Sequence, residues 1–110
     1  MIASSARLDA ALRALADEHR RAILELVRGG ERPVGEIARS LDMSQQAISH
    51  HLAVLRGAGL VTERREGAKH LYAVQTDGLR VVDDYLGGFW PAQLGNLKRA
   101  AEATVRRARG

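Results

Sequence analysis

Residues 44–60 read SQQAISHHLAVLRGAGL, in which Ser44, Gln45, Gln46, Ser49, His50 and His51 are threaded through the apolar Ile48, Leu52 and Leu55. Two kinds of chemistry suit such a set. Adjacent imidazoles could ligate a metal or act as a general base, whereas amides and hydroxyls aimed outward could read the hydrogen-bonding edges of a nucleic acid. At 100° per residue, Ile48, Leu52 and Leu55 fall within about 60° of one another, and Gln46, Ser49, His50 and Ala53 cluster on the opposite side. One face is core and the other is display. His50 and His51 are about 100° apart on that helix, poorly placed to share one ion. His51 lies nearer the apolar side, which suits packing with one satisfied nitrogen.

The elements that must position this helix are legible around it. Leu8, Ala11, Leu12 and Leu15 recur at helical spacing, and Asp17 is a good N-cap for a second helix with the stripe Ala22, Ile23, Leu26 and Val27. Gly29 and Gly30 stop that helix, and Pro33 is expected in the first turn of a third helix facing inward with Val34, Ile37, Ala38 and Leu41. The turn LDMS follows, Ser44 caps the fourth helix, and Gly57 and Gly59 close it, the second suited to the left-handed conformation. From Leu60 the period changes: LVTERR and KHLYAV are β-prone runs either side of a bend at Gly67 and Ala68. A lone hairpin is marginal, so it must lie against the helices. From Thr76, Leu79, Val82, Leu86, Trp90, Leu94, Leu97 and Ala101 return to helical steps, interrupted by Gly87, Gly88 and Pro91, where a kink or fresh start is expected.

The order helix, tight turn, display helix, β-loop is that of a winged helix-turn-helix, in which the second helix enters a DNA major groove. The expected fold is therefore mainly α with a small β-hairpin wing, five or six helices in one domain over residues 1–110. Within it, residues 76–108 form a C-terminal dimerisation helix or kinked helix pair. Glutamine suits adenine, serine suits either base edge, and the small Ala53 allows close approach. Arg64, Arg65 and Lys69 on the hairpin would reach phosphate or minor groove, moderated by Glu63 and Glu66.

Composition narrows the alternatives. The 110-residue chain has no cysteine, which removes thiolate ligands, disulfides and a Cys nucleophile and fits a reducing compartment. No run approaches a membrane span and the N-terminus lacks a secretory apolar stretch, so a cytoplasmic location is expected. The net charge of +4 resides wholly in the last stretch KRAAEATVRRARG, because residues 1–97 carry 12 basic and 12 acidic side chains. Bulk charge therefore argues nothing about nucleic acid. Local charge does: no Asp or Glu occurs between Asp42 and Glu63, leaving the display helix free of groups that phosphate would repel. No nucleophile with a nearby base, phosphate loop or convergent carboxylate pair is visible, so the chain does not read as an enzyme. A winged-helix protein-interaction module without DNA binding is the alternative, and would be expected to show exposed large apolars or acids where this chain has Gln, Ser and His.

ALADEHRRAILELV, VGEIARSLDMSQQAISHHLAVLRGAGLV and RREGAKHLYAV together resemble the ArsR/SmtB family of bacterial winged-helix repressors, strongly over residues 5–75 and more loosely over 76–105. The resemblance implies a homodimer joined by the first and last helices, two recognition helices in successive major grooves of double-stranded DNA, and repression released by an effector. On that carry-over Ser44, Gln45, Gln46, Ser49 and His50 match the DNA-reading positions, and Arg64, Arg65 and Lys69 match the wing. The dimer seam is expected from Leu8, Leu12, Leu86, Phe89, Trp90, Leu94 and Leu97, a stripe too long for a small core to cover alone.

Where the family's metal sensors carry cysteine on the third helix this chain has VGEIARSL, and where others place Asp and His pairs on the final helix it has Asp83 and Asp84 without histidine. No metal site or cofactor is expected, and operator affinity is expected to be indifferent to stoichiometric zinc. His19 reads as structural. Should a metal bind, His19 and Asp17 with Asp83 or Asp84 of the other protomer would be the ligands, since dimer contact looks the only way to gather them. Release is expected instead from a small organic effector near Tyr85, Phe89 and Trp90, or from protein level alone.

Overall fold

A computed structural model describes residues 2–90, with side chains from Ser5 onward. Five helices and three strands follow in the order α1 (Ile2–Leu15), α2 (Glu18–Arg28), β1 (Arg32–Pro33), α3 (Val34–Leu41), α4 (Gln45–Gly57), β2 (Val61–Glu66), β3 (Lys69–Val74) and α5 (Asp77–Gly87). The expected kink at Pro91, and any sixth helix beyond it, lie outside the described residues.

Local chemistry accounts for most of the boundaries. Asp17 caps α2, its Oδ1 accepting from the backbone N–H of His19 at 2.8 Å and of Arg20 at 3.0 Å. Ser44 caps α4 by accepting from the Ala47 N–H at 3.1 Å. Between α3 and α4 the chain reverses at Asp42, whose φ of 53° is left-handed, and the Met43 N–H donates back to the Ala38 carbonyl at 3.0 Å. That six-to-one closure ends α3 within one residue and fixes the helix-turn-helix angle. The end of α4 repeats the device, with Gly59 at φ 73° and the Leu60 N–H on the Leu55 carbonyl at 2.9 Å.

The sheet is antiparallel in the order β1-β3-β2, and β1 is the element that the sequence pattern does not announce. Pro33 does not open α3 from inside its first turn. At φ −75°, ψ 155° it pairs with Leu71 and stands just before the helix. The edge position makes this possible, because a proline there leaves no ladder hydrogen bond unmade on a neighbouring strand. In the wing, Glu66 pairs with Lys69 and Gly67 takes φ 62°, the left-handed position that a two-residue hairpin turn requires.

The core is drawn from the first four helices and the start of β2. Ile23 and Val27 of α2, Ile37 and Ala38 of α3, and Ile48, Leu52 and Leu55 of α4 are buried with Ala14, Leu60 and Val61. Each large aliphatic so buried contributes about 1.5–3 kcal/mol. Helix α5 packs against α1 and keeps an apolar outer face: Leu86 is 44% exposed and Phe89, just past the helix, is 67% exposed.

Candidate nucleic-acid interface

Because Ile48, Leu52 and Leu55 are drawn into the core, the opposite face of α4 has no choice but solvent, and Gln46, Ser49, His50 and Ala53 are all exposed there. Ser44 and Gln45 are exposed as well, at the N-terminal end. Their side chains are partly committed. The Ser44 hydroxyl accepts the capping bond, and the Gln45 amide folds back over α3, where a β-carbon on Gly35 would meet Gln45 Nε2 at 3.4 Å and Arg39 Nη1 at 3.6 Å. Gln46, Ser49 and His50 therefore form the outward surface of α4. Arg39, absent from the sequence reading, joins it from the exposed side of α3. The signal for it was present in principle, since the first helix of such a motif crosses the phosphate backbone.

The three wing cations are not equivalent. Arg64 donates through Nε and Nη2 to both oxygens of Glu31, at 3.0 and 2.5 Å, and through Nη2 to Glu66 at 2.9 Å. This two-carboxylate clamp raises the guanidinium pKa further, the Glu31 hydrogen bonds weighing most, and pulls Glu31 below the usual carboxylate range. Arg64 thus ties the wing to the α2–β1 loop, and its charge is shared with Glu31 and Glu66. Alternation along β2 puts Arg65 on the other face. Arg65 and Lys69 are exposed, and neither forms an ion pair among the described residues.

Glu63, expected to temper the wing's positive charge, faces inward. It accepts from the Tyr72 hydroxyl at 2.7 Å, contacts His70 Nδ1 at 3.2 Å and accepts from Arg56 Nη1 at 3.4 Å. The Tyr72 and His70 hydrogen bonds hold its carboxyl below the ordinary glutamate value, and burial together with Glu63 pushes the Tyr72 phenol up to about 12. Through Arg56 this cluster joins the base of the wing to the C-terminal end of α4.

Residues 17–63 match the family described as bacterial regulatory protein, arsR family. The HTH-type transcriptional regulator Rv2034 of Mycobacterium tuberculosis is 43% identical over 86 residues, covering 78% of this chain and 80% of that protein. This chain belongs to the ArsR family. Similarity to the transcriptional repressor SdpR of Bacillus subtilis is 37% identity over 68 residues, 62% of this chain and 76% of that one. Among solved structures, a homodimeric winged helix-turn-helix DNA-binding domain from Mycobacterium bovis aligns with a TM-score of 0.62 at 32% identity, covering 82% of this chain and 84% of that chain. The winged fold and the role of a DNA-binding transcriptional regulator go with this membership in the ArsR family.

Among the described residues, Leu12, Leu79, Tyr85, Leu86, Phe89 and Trp90 are the exposed large apolar side chains, and Tyr85 meets Phe89 edge-on at 5.0 Å between ring centres. Of the expected seam, Leu8 is half-buried, Leu12, Leu86, Phe89 and Trp90 are exposed, and Leu94 and Leu97 lie outside the described residues. A cleft of about 390 Å³ lies between α1 and α5, lined by Ser5, Arg7, Leu8, Val81, Asp84 and Tyr85. Of the three aromatics expected beside an effector, Tyr85 lines it. No helix among the described residues is long and apolar enough to cross a membrane.

Proposed function

We propose that this regulator is a cytoplasmic homodimeric repressor that reads an inverted-repeat operator with Gln46, Ser49 and His50 of each protomer, while Arg65, Lys69 and Arg39 contact phosphate. The observation that carries the reading is the exposed, acid-free face of α4 beside a wing whose two outer cations are unpaired by any described carboxylate. Ser44 and Gln45 take part as helix cap and as a brace on α3, and Arg64 as a fastener of the wing. Pairing through α1, α5 and the segment that follows, with Leu94 and Leu97, would cover the exposed apolar face. Two copies so joined set two α4 helices about one turn of DNA apart, or a small multiple of it. The α1–α5 cleft at Tyr85 would receive a small organic effector, and occupation there would act on the dimer geometry.

Footprinting of the chain's own upstream DNA, followed by titration of wild type and Gln46→Ala on the protected and on random sequence, tests this. Gln46→Ala is expected to lose about 1–3 kcal/mol on the specific site alone. Equal loss on both sequences would show that α4 positions the protein and reads no base.

A further inference from the structure

The sequence leaves His51 to packing and finds no way to gather metal ligands except across a dimer. Folding gathers three within one chain. Asp17 caps α2, His19 stands two residues further on, and His51 comes from the middle of α4. One carboxylate oxygen and one nitrogen from each imidazole lie within 4.8 Å of one another. The two rings are 5.8 Å apart between centres and tilted by 34°, and His19 Nδ1 is 3.9 Å from Asp17 Oδ1.

We propose that Asp17, His19 and His51 bind a divalent transition-metal ion of the zinc type, with water completing the coordination. Two imidazoles and a carboxylate are a borderline donor set that favours zinc over magnesium or calcium, which take oxygen. Bonds of about 2.0–2.2 Å to a tetrahedral ion need donor atoms roughly 3.3 Å apart, so the cluster must contract by up to about 1.5 Å. The His19 side chain, 52% exposed, is free to supply that movement by changing rotamer. Asp17 is already oriented: Oδ1 holds the His19 and Arg20 backbone N–H groups, and Oδ2, without a backbone hydrogen bond, has only the long Arg20 contact at 4.0 Å. His51 is half-buried on α4, so its ring is the fixed member of the cluster.

Arg20 is the competitor. Its Nη1 lies 3.4 Å from His51 Nδ1 and 4.0 Å from Asp17 Oδ2. Its Nε and Nη2 donate to the Ala14 and Arg13 carbonyls at 2.9 and 3.0 Å, so it keeps its place when the long contact to His51 gives way to metal. The neighbouring positive charge makes the site weaker than a four-ligand structural zinc site. An ion here ties the α1–α2 turn to the helix that carries Gln46, Ser49 and His50, reversing the expectation that zinc has nowhere to act.

Zn(II) competed from a chromophoric chelator by the full chain, without DNA, reads this independently of any operator. One equivalent per protomer is expected, with affinity lowered tenfold or more by His19→Ala and by Asp17→Asn, which keeps a good N-cap. His70→Ala, at the wing, is expected to leave binding unchanged, and the His51 ring resonances are expected to shift with zinc while those of His70 stay. Absence of saturable stoichiometric binding, or binding that survives both substitutions in chains with wild-type melting temperatures, overturns the proposal.

Discussion

Gly78 faces the backbone carbonyl of Ala58 so closely that a β-carbon on it would collide with that oxygen and stand 3.0 Å from Leu60 Cδ2. The contact seats α5 on the end of α4: the Gly78 N–H donates to the Gly59 carbonyl at 2.9 Å, and the Gln75 N–H to the Leu60 carbonyl at 2.9 Å. Gly78→Ala is expected to destabilise the chain by about 1–3 kcal/mol, despite the gain in helix propensity, because backbone cannot yield as a side chain does. Thermal melting would check it; an unchanged or raised midpoint would refute the contact.

The captive state of Arg64 predicts a difference between neighbouring arginines. Arg65→Ala should weaken binding to all sequences and lower the salt slope by roughly 1, whereas Arg64→Ala should leave the slope unchanged. Glu31→Gln loosens the clamp and should raise affinity for random DNA. Salt titrations of the three variants distinguish these outcomes, and a slope reduced equally by both arginine substitutions would place Arg64 on phosphate after all.

Phe89→Ala is expected to weaken the dimer about tenfold or more, the effect of removing an aromatic from the centre of a desolvated seam. Sedimentation at tens of micromolar reads this directly. A wild-type monomer at that concentration would remove the dimer from the account of DNA binding.

Acid should loosen the join between α2 and α4. Burial lowers the His51 pKa, so the unfolded chain binds this proton more readily than the folded one. The sign follows from linkage: the stability is complete above about pH 6.5 and falls as pH drops through that value towards the folded pKa. Melts at pH 7.5 and 5.5 should differ more for wild type than for His51→Gln, and the His51 ring should titrate below about 6.5 by NMR. A midpoint at or above that value would contradict the burial.

How the sequence and the fold divide the work shows in particular residues. Asp17, Ser44, Gly59 and Gly67 could each be placed from the sequence, because a cap or a left-handed turn is settled by a residue and its neighbours within a turn of chain. The solvent face of α4 was equally legible, since burying Ile48, Leu52 and Leu55 fixes where Gln46, Ser49 and His50 must point. Tertiary structure alone decided that Arg32 and Pro33 form a strand, that Glu31 captures Arg64, that Gly78 lies on Ala58, and that His51 meets Asp17 and His19. Each of these joins residues distant along the chain, whose approach depends on how whole elements pack. Periodicity tells which face of an element is buried, and leaves open which atoms of another element it will meet.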